Sequence, residues 1–564
     1  MLPSKPQTYF AEAGTTIASR FNIIRFLQIA MIVAAFGAVF AHGIILGKYN
    51  IGFLPEYRFR QTLAIAISRL RQPSSHGYLA YQSVVDVLSE NGLAIFPNEK
   101  GPHLDSAGWA KFLQDPVTTD RILRLARYSP VDPNLPPQLI RGNEIAYADY
   151  FYLAFRLFGL HMSSLYYFYF LLLGLACALF AIEFRRSPFL MFLLTTYLGG
   201  LFFLQSYAVI YGNQLVTLAN SRLFDALSLL PAIHVFIVIW KRISLRWSTL
   251  LTTIAQSALL AFIVSCRSAA RWQIAMIAGT AVALLLLGLW RQKPRLSFWR
   301  DRFQNGIWAA CIAVACLAAH MSFINLVADS AYKSESEYHL IWDSVLAGLL
   351  DSNAELQREY LGQLLGDNAS PLEDEYVEEA INRDLTARND RSSPIAVEQD
   401  NKIVIYVGSD PSEYNRLARA LALRIISRHP IEVAKGLYQK LLNQIGLYRR
   451  GNATSWASLS GMIACALVGG LLWLITAKFE ITARDALNGA KAAIVVLVFA
   501  AAPPLIEPSA LSVGTLLCYL VAAMLAPAAL IALVATVALR TKSGAQPSYP
   551  ASNGAAKRPN SHQP

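Results

Sequence analysis

The sequence predicts an all-α polytopic membrane protein. It has about ten transmembrane helices, two large extracytoplasmic segments and, within the later one, a small, mostly helical subdomain. Three observations predict this. Hydrophobic residues make up 55% of the 564 residues and charged residues only 15%, where a soluble chain carries about 25% charged. Apolar runs of spanning length, roughly 20 residues, recur along the chain. Lys and Arg gather after every second run, which fixes one direction of threading. The composition excludes a soluble multidomain protein, a collagen and a disordered chain.

Residues 1–46 read as a cytoplasmic N-terminus and a first span, Phe26–Leu46, preceded by Lys5, Arg20 and Arg25. The run is too long for a signal-peptide core and lacks a small-residue cleavage site, so it reads as an anchor. Residues 165–324 hold spans two to seven: Leu165–Ile182, Phe189–Ile210, Leu223–Trp240, Leu250–Cys266, Ile274–Trp290 and Ile307–Ile324. Arg185 and Arg186 follow the second span. Lys241, Arg242 and Arg246 follow the fourth, and a cluster from Arg291 to Arg302 follows the sixth. Residues 458–540 hold Leu459–Thr476, Ala492–Ile506 and Leu511–Leu539. Lys478, Arg484 and Lys491 follow the first of these, and Arg540 and Lys542 the last. Each basic exit agrees with both termini in the cytoplasm of a bacterial-type inner membrane. The tail 541–564, rich in Ser, Pro, Ala and Gly, reads as disordered. The formal charge of +12 is explained by the cytoplasmic loops, so no nucleic-acid partner is expected.

Two long segments then lie outside, 47–164 and 325–457. In the first, helical periodicity covers Arg58–Arg71, Tyr78–Glu90 and Thr119–Tyr128, separated by Pro-rich loops. A further helix, Ile145–Gly159, carries Tyr147, Tyr150, Phe151, Tyr152, Phe155 and Phe158. Such a run reads as an aromatic belt at the membrane interface, with a platform for a sugar or prenyl chain as the alternative. In the second segment, Tyr414, Leu417, Leu421 and Ile425 recur at helical spacing and need an apolar partner. Lys402–Val407 reads as one short strand, and Pro430 marks a helix boundary at His429. The six Cys fall in or beside apolar runs, and the nine His show no metal-ligand spacing, so neither a disulfide framework nor a metal is expected. No motif indicates a cofactor.

The order of these features resembles the bacterial glycosyltransferase C superfamily, especially its family 39-like protein mannosyltransferases. The resemblance rests on Tyr78-Leu79-Ala80-Tyr81, on Leu88-Ser89-Glu90-Asn91-Gly92 and Pro97, and on the Tyr-rich helix from Tyr150 to Leu157-Phe158-Gly159-Leu160. A second stretch, Tyr414-Asn415-Arg416-Leu417 through Ile425-Ile426-Ser427-Arg428-His429-Pro430 to Lys440, is similar to a helix–Pro–helix segment in that group. Together they cover about a third of the chain. The sequence departs from the family at Ser74, Ser75 and His76, where an acidic residue is expected.

The resemblance implies transfer of a sugar from a polyprenyl-phosphate donor to an envelope glycan or protein acceptor on the outer face. That chemistry needs a carboxylate to take the acceptor's hydroxyl proton, and basic side chains to neutralise the lipid phosphate. Acids placed to serve are Glu56, shortly after the first span, Asp86 on the polar flank of its helix, and Asp225 in the first turn of the fourth span. Basic candidates are Arg58 and Arg60 beside Glu56, Arg222 beside Asp225, and Arg267 and Arg271 between the fifth and sixth spans. The last two run against the positive-inside trend on a short outer turn, and helical spacing of four would put both on one face. The bland readings are a solvated helix charge for Asp86, a favourable helix N-terminus for Asp225 and contact with ordinary membrane lipid for the arginines. The alternatives to a lipid-linked sugar transferase are an O-antigen ligase or polymerase type of enzyme, which relies on Arg and His, and an inert envelope assembly protein.

Overall fold

Straight-chain and aromatic apolar residues satisfy their backbone hydrogen bonds within a helix, and most of the described residues do so. The computed structural model describes residues 26, 29–45, 57–71, 79–93, 116–130, 145–210, 224–291, 306–329, 341–351, 353–362, 373–399, 401–405, 411–449, 463–465, 467–468, 483–500, 520–522 and 524. Among the described residues the regular elements are α-helices, apart from one 3-10 turn and one two-stranded hairpin. In order, the helices are α1 (Ile29–Ile45), α2 (Tyr57–Arg71), α3 (Gln82–Glu90), α4 (Pro116–Tyr128), α5 (Ile145–Phe158), α6 (Ser163–Phe184) and α7 (Pro188–Ile210). Next come α8 (Phe224–Trp240), α9 (Trp247–Cys266), a 3-10 turn (Ser268–Arg271), α10 (Trp272–Arg291) and α11 (Ile307–Val327). The remainder is α12 (Ile341–Asp351), α13 (Ala354–Leu361), α14 (Glu373–Arg388), β1 (Ala396–Gln399), β2 (Lys402–Ile405), α15 (Pro411–Arg428), α16 (Pro430–Arg449) and α17 (Ala483–Ala500).

Three of these helices, α6, α9 and α11, are long and apolar enough to cross a membrane. Shorter apolar helices lie at Ile29–Ile45, Phe189–Gln205, Phe224–Trp240, Trp272–Leu287 and Lys491–Ala500. The expected eighth and tenth spans and the tail fall largely outside the described residues. The expected ninth span begins earlier than its apolar run, because α17 starts at Ala483 and takes in the polar stretch before Ala492.

The apolar helices form one bundle around α8. Every residue of α8 from Phe224 to Ile239 is buried, the mark of a helix surrounded by others. It packs against α6, α9, α10 and α11, and α9 in turn touches α5, α6 and α11. Within the bundle α9 runs opposite to α6 and α8, whereas α6 and α8 run the same way. The α6 end meets the α9 start, where Glu183 accepts hydrogen bonds from Thr249 (2.8 Å) and Thr252 (3.0 Å). The α11 start meets the α8 end, where the Trp308 indole donates to the Ile243 carbonyl (3.4 Å). Arg185, Arg186, Lys241, Arg242 and Arg246 are all exposed on the segments that meet at this end.

Gly306 shows how tightly the end is packed. Its φ of +92° lies in the left-handed region, and a Cβ there would stand 2.5 Å from the Val238 carbonyl oxygen and 3.1 Å from Ile239 Cα. Gly306→Ala is therefore expected to cost about 1–3 kcal/mol of stability, through strain and through separation of α8 from α11. A thermal unfolding midpoint lowered relative to the parent checks it.

A second apolar core is built from α12 to α15 and the hairpin. Tyr414, Leu417, Leu421 and Ile425 all enter it, so the helical stripe read from the sequence has its partner. The buried Tyr414 hydroxyl donates to Asp343 (2.7 Å). Asn353 caps α13 by accepting from the amides of Glu355 (3.0 Å) and Leu356 (3.2 Å). The strand expected at 402–407 is formed over its described residues, Lys402–Ile405, and pairs antiparallel with Ala396–Gln399, where no strand was expected. Side chains of α14 cover the outer edge of β2: Ile403 N–H donates to Thr386 (3.0 Å) and Ile405 N–H to Asn382 (2.9 Å). At the start of α15, hydrogen bonds from Arg416 hold the Glu413 carboxyl below its ordinary range.

Candidate anion site at one end of the bundle

The end of the bundle opposite the exposed basic residues carries the α8 start, the α9 end and the α10 start. The α5 start is seated on it, with the Cys266 thiol 3.2 Å from the Ala146 carbonyl as donor. The floor is aromatic. Tyr147 and Tyr150 lie 5.5 Å and 4.7 Å from Phe224, ring to ring. Phe151 lies 4.9 Å from Tyr147 and 4.8 Å from Phe59. Tyr147, Tyr150, Phe151, Tyr152 and Phe155 are all buried. This corrects the sequence reading. The run is neither a lipid-facing belt nor an open platform but a packed core joining α2, α5, α6 and α8; only its last ring, Phe158, is exposed at 39%. Periodicity reports apolar faces, and it does not distinguish a face turned to lipid from one turned to other helices.

Ionisable residues adjoin this floor in the chain. Arg60 follows Phe59 on α2 and is buried, and Asp225 follows Phe224 on α8 and is 4% exposed. The Asp225 carbonyl accepts from the Gln273 amide (2.9 Å) on α10, which holds the α8 start against the α9–α10 connection. Arg267 and Arg271 sit in that connection. The helical face expected for them is not formed: α9 stops at Cys266, Arg267 is extended (φ −149°, ψ 104°), and Ser268–Arg271 is a 3-10 turn. Arg271 is exposed, whereas Arg267 is half-buried and its buried Nε has no hydrogen-bond partner among the described residues. The 3-10 turn packs against α8, α9 and α10, so the pair does lie beside the start of the fourth expected span.

The other expected residues fall elsewhere. Asp86 is exposed on α3 and accepts from Gln82 one turn earlier (2.6 Å), the arrangement of a solvated helix charge. Arg58 belongs to the first turn of α2. Glu56 and Arg222 lie outside the described residues.

Sequence reasoning missed the polar side-chain bonds within and between α2, α3, α4 and α5. Arg69 pairs with Asp149, which is 6% exposed, and stacks 4.5 Å over the Tyr152 ring. Arg156 donates to the Tyr152 hydroxyl (3.0 Å). Arg71 donates to Ser83 and Ser129 (3.1 Å each) and to the Ser129 carbonyl. It has no carboxylate partner among the described residues, and burial lowers its pKa from the ordinary arginine value. His161, at the corner between α5 and α6, hydrogen-bonds through Nδ1 to Asp120 on α4 (2.6 Å). The legible signal for Asp149 was an acid alone within an aromatic run, since a buried carboxylate requires a partner. Among the described residues no three His, Cys, Asp or Glu side chains gather as they would around a metal ion. No protein-family model matches this chain, and neither a curated protein nor a solved structure matches it.

Proposed function

We propose that this chain is an inner-membrane protein of about ten spans that binds a polyprenyl-phosphate-linked sugar at the outer end of its bundle and transfers the sugar to an envelope acceptor. The observation that carries the reading is Arg267. Its guanidinium is half-buried at a helix end beside the Asp225-bearing start of α8, and its Nε has no partner among the described residues. A buried donor without an acceptor is costly, and a phosphate oxygen at that depth supplies one. In the proposed step the acceptor oxygen attacks the sugar's anomeric carbon and the bond to the lipid phosphate breaks. The phosphate leaves paired with arginine while a carboxylate takes the hydroxyl proton. Asp225 is the candidate of the sequence reading that the fold brings beside that turn. A ligase-type enzyme relying on Arg and His is the second reading. The Asp120–His161 pair favours it, because a carboxylate on Nδ1 leaves Nε2 to accept the proton.

Two experiments test the reading. With both termini cytoplasmic, reporter fusions after Arg186, Arg246 and Arg295 read cytoplasmic, and fusions near Asn134 and Asn389 read external. An external signal after Arg246 contradicts the threading. Replacing Arg267 and Arg271 together by Gln is expected to weaken binding of polyprenyl phosphate to the purified protein in nanodiscs by at least about tenfold, a loss of roughly 1.4 kcal/mol. Unchanged affinity in the folded double variant contradicts the reading.

A further inference from the structure

The polarity of α9 is inverted. Thr249, Thr252, Thr253, Gln256 and Ser257 are buried and follow one helical face, while Leu251 and Ile254 on the other side are 64% and 40% exposed. The middle of this polar face is only partly satisfied. Thr253 Oγ1, Gln256 Oε1 and Ser257 Oγ are buried without a hydrogen bond, as are both ring nitrogens of His234 on α8 and the hydroxyl of Tyr169 on α6.

The three helices α6, α8 and α9 pack pairwise, and contacts along α6 put their polar groups in order. The Tyr169 ring stands 6.3 Å from Phe224 at the α8 start. Gln256 donates to the Ala176 carbonyl at 2.9 Å. The His234 ring lies 6.0 Å from Phe180 and 4.9 Å from Phe184. Glu183 closes the sequence with its bonds from Thr249 and Thr252. From Tyr169 to Glu183 the helix rises about 21 Å, most of the depth of a bilayer's hydrocarbon core. Asp225 adds a second carboxylate next to Phe224, and Pro231 has no N–H to offer the Leu227 carbonyl on the same helix.

We propose that this seam holds a file of water and conducts protons between Asp225 and Glu183, with His234 as the protonatable relay. The orphaned hydroxyl, amide and imidazole atoms supply the polar partners that a buried water requires. Carboxylates with a histidine between them are costly inside an apolar bundle, and there they mark such paths. His234 takes a proton at one ring nitrogen and releases one from the other, so the step needs no co-reactant. The proton that enters at one end is balanced by one leaving at the other. The titratable groups on the elements packed against α8 are Tyr166, Tyr167, Tyr169, Cys177 and Glu183 on α6, Tyr197 on α7, Cys266 at the end of α9, Arg271 in the 3-10 turn, Arg291 at the end of α10, and Cys311, Cys316 and His320 on α11. This proposal does not rest on the sugar-transfer reading.

The test uses the full chain in liposomes carrying an internal pH dye, with a potassium gradient and valinomycin setting an inside-negative potential. The parent is expected to acidify the lumen faster than protein-free liposomes do, and His234→Leu to return the rate to the protein-free level. A parent rate equal to that of protein-free liposomes overturns the proposal, as does a folded His234→Leu variant that conducts like the parent. Thr253→Val and Ser257→Ala give a readout that does not depend on folding of the His234 variant. In a hydrated seam each removes a bond to water and lowers the thermal midpoint. In a dry seam each removes an unmet polar group and raises it, which overturns the proposal.

Discussion

Replacing Arg69 by Met is expected to destabilise the protein by about 3–5 kcal/mol, because it strands the buried Asp149 carboxylate. The two side chains are 18% and 9% exposed, so water screens the pair only weakly. The stacking of Arg69 on Tyr152 is lost as well. The effect belongs to breaking the pair more than to the pair's own strength. Arg69→Met combined with Asp149→Leu is therefore expected to recover most of the loss, since two apolar side chains fit between α2 and α5 without a charge to desolvate. Denaturant unfolding of the three variants in detergent, followed by tryptophan fluorescence, checks both expectations. A double variant no more stable than Arg69→Met would show that the loss lies in packing rather than in the unpaired charge.

Phe151→Ala is expected to cost about 3–5 kcal/mol, the range for removing an aromatic ring from a filled core. Phe151 is fully buried and meets Phe59, Tyr147 and Phe155 at ring separations of 4.8, 4.9 and 5.9 Å. Its loss leaves a cavity at the junction of α2 with α5. Phe151→Leu, which keeps more of the volume, is expected to cost less than half as much. Equal losses for both variants would mean that the junction tolerates neither shape, and a negligible loss for Phe151→Ala would mean that it collapses around the gap.

The fold was most legible where one physical rule decides the outcome. Length and apolarity set α6, α9 and α11, and helical period set α2 and the buried face of α15. Local chemistry was legible too: Pro430 divides α15 from α16 at His429, and Asn91-Gly92 ends α3. What depends on partners distant in sequence was not legible. The β1–β2 pairing escaped because Ala396–Gln399 has mostly solvent-facing residues and draws its place from β2, whose own edge is covered by α14. The aromatic run of α5 was misplaced because its neighbours, Phe59 and Phe224, lie far away in the chain. The spacing of Arg267 and Arg271 assumed a helix that stops at Cys266. Asp149 and His161 were overlooked because each acquires its meaning from a residue on another helix, Arg69 or Asp120.

The central claim, that the Arg267 turn holds an anionic lipid-linked substrate, is tested most directly by photocrosslinking. A polyprenyl phosphate with a photoactivatable group near its phosphate is irradiated with the full-length protein in native membranes, and the labelled peptides are mapped. The account predicts label on the peptide spanning Cys266 to Gln273, displaced by excess unlabelled polyprenyl phosphate and reduced when Arg267 is replaced by Gln. Label confined to the exposed apolar side chains of α1 or α17, or label that excess polyprenyl phosphate does not displace, would contradict it.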